Sequence, residues 1–252
     1  MENNQNNMLI QHASGMFMNQ TDILSAVNGV MDSVLDIKEM MMEYSAAIRE
    51  IKTKLEILNT EFAVRLSRNP ISSIQTRLKS QVSILEKMER KHIPMNRQNI
   101  EESLNDIAGI RVICSYIDDI YRIADALTRQ DDIELIEEKD YIKHPKENGY
   151  RSLHLIVSVP VFLSNEKKIV KAEVQIRTIA MDFWASLEHG IKYKKNVPDA
   201  ERIISELKDC ADVIAATDER MQQIRVDMDA IKDEETGMEL LYEKLKKVDI
   251  SF

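Results

Sequence analysis

Residues 168–177 read KIVKAEVQIR, and from Val170 onward apolar and polar side chains alternate without a break. In an extended strand, successive side chains point to opposite faces. Val170, Ala172, Val174 and Ile176 therefore share one side, and Lys171, Glu173, Gln175 and Arg177 share the other. One side is core, and the other is a polar wall bearing an acid, an amide and a guanidinium. Such a strand belongs in a sheet with one covered face. Working outward, the apolar run IAGIRVICSY (107–116) suits a buried strand, and DIELIEEKDY (132–141) and RSLHLIVSVP (151–160) read as two more. Asp118 and Asp119 can cap a helix reaching about Arg129, and a helix over about 179–194 closes the unit. The order β-α-β-β-β-α defines an α+β domain, a sheet of four to five strands with helices to one side.

The flanks have a different rhythm. No glycine or proline lies between Gly29 and Pro70. Apolar residues from Ile23 through Ile37, Tyr44, Ile51 and Leu58 to Phe62 recur at alternating steps of three and four, as in a heptad seam. The same spacing returns from Ile203 through Leu207, Cys210, Ile214, Met221 and Met228 to Ile231. A lone helix with such a stripe exposes too much apolar surface. The pattern leaves open whether the two helices pack on each other, on the central domain or on other copies of the chain. A further helix is expected over 71–91, started by Asn69-Pro70, with Ile74, Leu78, Val82, Leu85 and Met88 inward. The expected domains are a mobile Asn/Gln-rich tail (1–20), a helical extension (21–68), a catalytic domain (69–196) and a C-terminal helical region (197–252).

Composition narrows the classes. The net charge of −9 argues against a surface that grips nucleic acid throughout, although a local cluster of cations can still set the field inside a cleft. No run of ~18 apolar residues offers a membrane span, and the first twenty residues lack the pattern of a secretory signal. The two cysteines, Cys114 and Cys210, read as reduced thiols of a cytoplasmic protein. There is no Walker A loop, GxGxxG, HExxH or CxxC, so P-loop, Rossmann, zincin and thiolate-zinc chemistry lack support.

The remaining residues point to a nucleotide. Asp106 precedes the strand that carries Arg111. It either caps a turn or joins Glu173 in holding Mg²⁺, a hard cation that prefers carboxylate, water and phosphate oxygens. Strict alternation would put Asp106 and Arg111 on opposite faces, so the metal reading requires Asp106 to sit in the loop before the strand. On the expected helix 71–91, Lys79, Ser83, Lys87 and Arg90 share a face that either lies along a triphosphate or is simply solvated. Lys139, Lys143, His144, Lys146, Arg151 and His154 surround Gly149-Tyr150. There an aromatic ring could stack on a base while cations hold phosphates, unless the segment is merely a basic hairpin loop.

Three ordered strings, NDIAGIRVIC (105–114), DYIKHPKENGYRSLHLIV (140–157) and KAEVQIRTIAMDFWASLEHGIKYKK (171–195), resemble the synthetase domain of the RelA/SpoT family in its small, stand-alone form. The likeness spans roughly 70–195. It implies a nucleotidyltransferase-like sheet domain that moves pyrophosphate from ATP to the 3′-hydroxyl of GDP or GTP. The products would be the alarmones ppGpp or pppGpp, plus AMP. By position, Asp106 and Glu173 resemble the Mg²⁺ pair, with Glu173 helping to deprotonate the hydroxyl. Arg77 and Arg111 resemble the pair that sandwiches adenine, and Lys79, Ser83, Lys87 and Arg90 resemble the ATP-phosphate contacts. Tyr150 resembles the guanine-stacking residue, Lys139 and Lys146 contacts to the acceptor phosphates, and His154 and Gln175 neighbours of its ribose and phosphates. Thr76 stands where many relatives have glycine. Asp182 stands where many have asparagine; its carboxylate either accepts from guanine N1–H and N2–H₂ or caps or pairs on the helix.

The resemblance also implies a homotetramer. The long members' hydrolase domain carries a His-Asp pair; here the five histidines precede Ala13, Ile93, Pro145, Leu155 and Gly190, so synthesis without hydrolysis is expected. The competing functions are a silent module that binds guanine nucleotide or single-stranded RNA, the latter also conceivable as a regulator, and a coiled-coil scaffold.

Overall fold

A computed structural model describes residues 20–66, 68–192 and 200–247, with side chains described over 35–65, 68–191 and 202–231. The expected tail falls outside the described residues except for Gln20. Helix α1 (Gln20–Leu66) leads into β1 (Ile71–Leu78), α2 (Gln81–Arg90), α3 (Arg97–Ser103), β2 (Ala108–Cys114) and α4 (Ile117–Thr128). Then come β3 (Glu134–Asp140), β4 (Leu153–Phe162), β5 (Lys167–Thr178), α5 (Ile179–Lys192) and α6 (Ala200–Lys247). The five strands form one mixed sheet in the order β1-β2-β5-β4-β3. Only the central β2–β5 pair is parallel.

The alternation in 168–177 holds. Val170, Ala172, Val174 and Ile176 are buried in the main core, beside Leu155 and Val157 of β4 and Ile110 and Val112 of β2. Helix α1 lies over this face. Of its seam, Tyr44, Ile48, Ile51, Leu55 and Leu58 are buried in the same core, each stabilising the fold by about 1.5–3 kcal/mol. This part of the seam is therefore used within the protein. The α1–α4 layer is tied by ion pairs as well. Lys54 bonds both oxygens of Asp132 (2.8 and 2.6 Å), and Arg68 bonds both oxygens of the fully buried Asp119 (2.7 Å each).

Three expectations need correction. Residues 71–91 are a strand, a turn and a shorter helix. Ile71 to Leu78 pair antiparallel with β2, so the inter-strand ladder overrides the helical spacing. Of the expected inward stripe only Met88 is buried. Val82 and Leu85 are exposed, and Ile84 takes the core position. Second, α4 starts at Tyr116 with no side-chain cap. Asp118 instead meets Gln222 of α6, and Asp119 meets Arg68. Third, the C-terminal seam is seated only in part: Leu207 and Ile214 pack against the Trp184 cluster, but the buried positions beside them are small or polar. Ala211, Ala215 and Asp218 are buried, whereas Cys210, Met221, Ile224, Met228 and Ile231 are exposed. Small side chains let α6 approach α5 and the β3–β4 loop closely, and the spacing of large apolar residues does not register that.

Helix α6 docks at the end of β5. Thr178 Oγ1 donates to Asp218 Oδ2 (2.6 Å) and accepts from Met181 N–H (3.1 Å) at the start of α5. Burial pushes the Asp218 carboxyl above its usual range. A carboxyl so raised stabilises the fold at low pH and loses that contribution as pH rises toward the raised value. Asp218→Asn keeps an acceptor for Thr178 and carries no buried charge. It should melt about 2–5 °C above the parent at pH 8, with the gap closing toward pH 4, as read by thermal denaturation.

Candidate active site

On the uncovered face, strand register lines up a polar row. Gln75 pairs with Arg111, Arg111 with Gln175, Gln175 with His154, and His154 with Lys139. In the adjacent row, Arg77 and Glu173 flank Gly109. A glycine at that point leaves the floor between the two side chains open. Two turns meet just beyond the Leu78–Ala108 pair, where Lys79 N–H donates to Ile107 O (2.9 Å). They deliver Lys79 and Asp106, so Asp106 does sit in the loop before β2. Helix α5 crosses this face with Ser186 and His189, and Tyr150 enters from the β3–β4 loop. Apart from His154 and Lys139, these groups line a cleft of about 650 Å³.

Within the cleft, five side chains close a ring. Glu173 Oε1 lies 3.0 Å from His154 Nδ1, and Glu173 Oε2 accepts from Gln175 Nε2 at 3.1 Å. Gln175 Oε1 accepts from Arg177 Nη2 (2.8 Å), which also donates to Tyr150 Oη (3.0 Å). Tyr150 Oη lies 2.8 Å from His154 Nε2. A carboxylate only accepts, so the network assigns the proton to Nδ1 and makes Nε2 the acceptor of the tyrosine hydroxyl. Every donor in the ring thus points from Arg177 toward Glu173. Burial alone would raise the Glu173 carboxyl, but the His154 and Gln175 hydrogen bonds outweigh it and hold the group below its usual range. Burial raises the Tyr150 phenol, and it lowers the Arg177 guanidinium, which is 2% exposed.

Asp106 has its own partners. Lys79 Nζ and Lys87 Nζ reach its two oxygens at 3.0 and 2.8 Å. Burial opposes the charge, but the two ammonium groups prevail and the carboxyl lies below its ordinary range. The cations expected on one helix face therefore converge from a turn and a helix. Ser83 bonds the α2 cap, Ser80 (3.0 Å), and exposed Arg90 lies in the last turn of α2. Neither lines the cleft among the described residues.

The other candidates are placed as follows. Lys139 pairs with Glu137 on the open surface of β3 (2.9 Å). Lys146 sits 4.5 Å from the Tyr141 ring centroid and 4.8 Å from that of Tyr150. Asp182 Oδ1 stands between Arg177 Nη1 (3.3 Å) and Arg111 Nη1 (3.6 Å), so its carboxylate is engaged by two guanidiniums. Thr76 lines the cleft on β1. Arg151, grouped with the loop cations from sequence, lines a separate cavity with Asp218. Two participants were not in the expected binding set. Tyr141 meets Tyr150 and His154 edge-on, with centroids at 6.0 and 5.2 Å. Arg177 holds the ring closed. The alternation had put Arg177 on the polar wall, and Tyr141 stood as a second aromatic in the same basic loop, so both left a signal.

Among the described residues no group of three or more His, Cys, Asp or Glu side chains is arranged to hold a metal ion. Asp106 and Glu173 nevertheless line the same cleft, close enough that the Asp106 charge acts on Glu173. One or two carboxylates plus water and substrate phosphates are the donor set Mg²⁺ favours, and the residues fit that ion when a polyphosphate completes its shell.

A mixed sheet with two carboxylates, clustered cations and an aromatic around an open cleft has the groups that a polyphosphate nucleotide requires. The model of the "Region found in RelA / SpoT proteins" matches residues 76–198. The GTP pyrophosphokinase YwaC of Bacillus subtilis (strain 168) is 44% identical over 194 residues, 77% of this chain and 92% of that protein. The crystal structure of small alarmone synthetase 2 from Bacillus subtilis superposes with a TM-score of 0.69 at 44% identity, covering 76% of this chain and 99% of that one. That of small alarmone synthetase 1 from the same species, bound to its product pppGpp, gives 0.68 at 36%, covering 76% and 97%. This chain belongs to the RelA/SpoT family, among its small alarmone synthetases.

Proposed function

We propose that the chain transfers pyrophosphate from ATP to the 3′-hydroxyl of GDP or GTP, forming ppGpp or pppGpp and AMP, and that it does not hydrolyse them. The observation that carries this is the Glu173-centred ring on the floor of a cleft whose rim holds Asp106 between two lysines. The 3′-oxygen attacks the β-phosphorus of ATP. The bond from that phosphorus to the α–β bridging oxygen breaks, AMP leaves with the oxygen, and Glu173 takes the hydroxyl proton. Asp106 and Glu173 would hold Mg²⁺, which offsets charge on the phosphates. In this reading Lys79 and Lys87 turn from Asp106 to the ATP phosphates, with Ser83 and Arg90 further along α2.

Arg77 and Arg111 are assigned to adenine. They are diagonal neighbours on paired strands and share a face. Such neighbours stand about 7–8 Å apart, enough for one ring between two guanidinium planes. Tyr150 takes the guanine, with Lys139, Lys146, His154 and Gln175 on the acceptor's ribose and phosphates. Asp182 acts by orienting Arg111 and Arg177. Exposed Met221, Ile224, Met228 and Ile231 along α6 support a homo-oligomer, a tetramer by family likeness. No described helix is long and apolar enough to cross a membrane. We assign the protein to the cytoplasm, without DNA as a partner.

The test is chromatography of labelled products from ATP with GMP, GDP or GTP and Mg²⁺. AMP should appear in equal amount with a 3′-pyrophosphorylated guanosine nucleotide. Nucleotide binding with no AMP after hours would leave a silent binding module. Tyr150→Ala should raise the acceptor KM about tenfold or more, since base stacking on an aromatic contributes about 1–3 kcal/mol. The ATP KM should stay near the parent value in the same assay.

A further inference from the structure

We infer that α6 is a positioning element for the acceptor nucleotide, acting through the contact of Ala211 with Gly149, the residue just before Tyr150. This rests on the assignment of Tyr150 to the acceptor. Gly149 has a φ of +86°, and its N–H donates to Lys146 O (2.8 Å) in a tight turn. A Cβ built on it would lie 2.5 Å from Ala211 Cβ and 3.7 Å from Lys208 Cα. Gly149 is thus required both for its backbone angle and for lack of space. Ala211 is 4% exposed and clusters with Trp184 and Ala185, and Tyr150 packs on that cluster.

The helix cannot easily retreat from this contact. Trp184 Nε1 donates to Leu207 O (2.8 Å) one turn before Ala211, and Thr178 Oγ1 holds Asp218 two turns after it. On its other side the loop is tied to α5 by Asn148 Nδ2, which donates to Glu188 Oε1 (3.0 Å). A cavity of about 230 Å³ borders Gly149, walled by Ile142, Arg151, Trp184 and Asp218. The Ala211 methyl is the stop on the α6 side of the loop, and a bulkier side chain there would push Gly149, and Tyr150 with it, against the hydrogen bonds that hold the phenol to His154 and Arg177.

The experiment is a volume series at position 211 (Gly, Ser, Val, Leu), with separate KM values for GDP and ATP and a melting curve for each variant. Ala211→Gly and Ala211→Ser should keep the parental GDP KM. Ala211→Val and Ala211→Leu should raise it stepwise, by about tenfold or more for the leucine. The ATP KM should stay within about twofold throughout. If Ala211→Leu does not fold, Ala211→Val carries the same test. A GDP KM that stays flat across folded variants, or one that rises in step with the ATP KM, overturns the inference. Tyr150→Ala is the control. If it leaves the GDP KM unmoved, the acceptor assignment has failed. If it raises the GDP KM while the 211 series is flat, only the role of the helix contact has failed.

Discussion

Glu173→Gln is expected to lower pyrophosphate transfer by about 10³-fold or more in a variant that still folds cooperatively, with a modest fall in melting temperature at neutral pH from the lost Gln175 hydrogen bond. Removal of a positioned general base typically costs about 10²–10⁴, and loss of a metal carboxylate adds to that. The fold should survive because the side chain stands on the open face of β5, whereas the core is built by Val174 and Ile176 on the other. A glutamine still offers Oε1 to His154 Nδ1–H, although its amide opposes the donor from Gln175. Product formation at a near-parental rate by the folded variant would exclude Glu173 as the base.

Asp106→Asn is expected to cost about 10²–10³ in turnover and to shift the Mg²⁺ requirement upward, measured by titrating Mg²⁺ at saturating nucleotide. Substitution also leaves Lys79 and Lys87 with a neutral amide where each had a carboxylate oxygen within 3.0 Å. The sign of the pH dependence follows from the depressed Asp106 carboxyl. Its contribution to stability is present above the unfolded carboxylate value of about 4 and is lost as pH falls through the lower folded value. Parent and variant should therefore differ in melting temperature at neutral pH and converge in acid. A parental Mg²⁺ response in the variant would remove Asp106 from the metal pair.

Much of the site was legible because strand periodicity is a local property. Alternation in 168–177 placed Glu173, Gln175 and Arg177 on one wall, and a five-stranded sheet realises that. The same rule made the metal reading conditional on Asp106 standing outside the strand, and Asp106 does precede β2. Residues 71–91 misled for an equally physical reason. Ile74, Leu78, Val82 and Leu85 have helical spacing, yet an edge strand needs few buried side chains and takes its stability from the β2 ladder. The C-terminal seam was legible only in part: Leu207 and Ile214 do pack on the Trp184 cluster, but the buried positions are two alanines and an aspartate, which a search for large apolar residues passes over. For Asp182 the resemblance suggested guanine and left pairing on the helix open; its two arginine partners come from separate strands, which no local pattern shows.

Sequence alone determined that one sheet face is core and the other carries acid, amide and guanidinium, since a period of two decides which side chains share a side. It also determined the family, through strings long and ordered enough to be specific. Only the tertiary structure decided which cations meet Asp106, that the hydrogen bonds of five residues close on Glu173, and that Ala211 rests against Gly149. Those contacts join residues up to 62 positions apart, and their partners are chosen by strand order and helix docking, which no local pattern encodes.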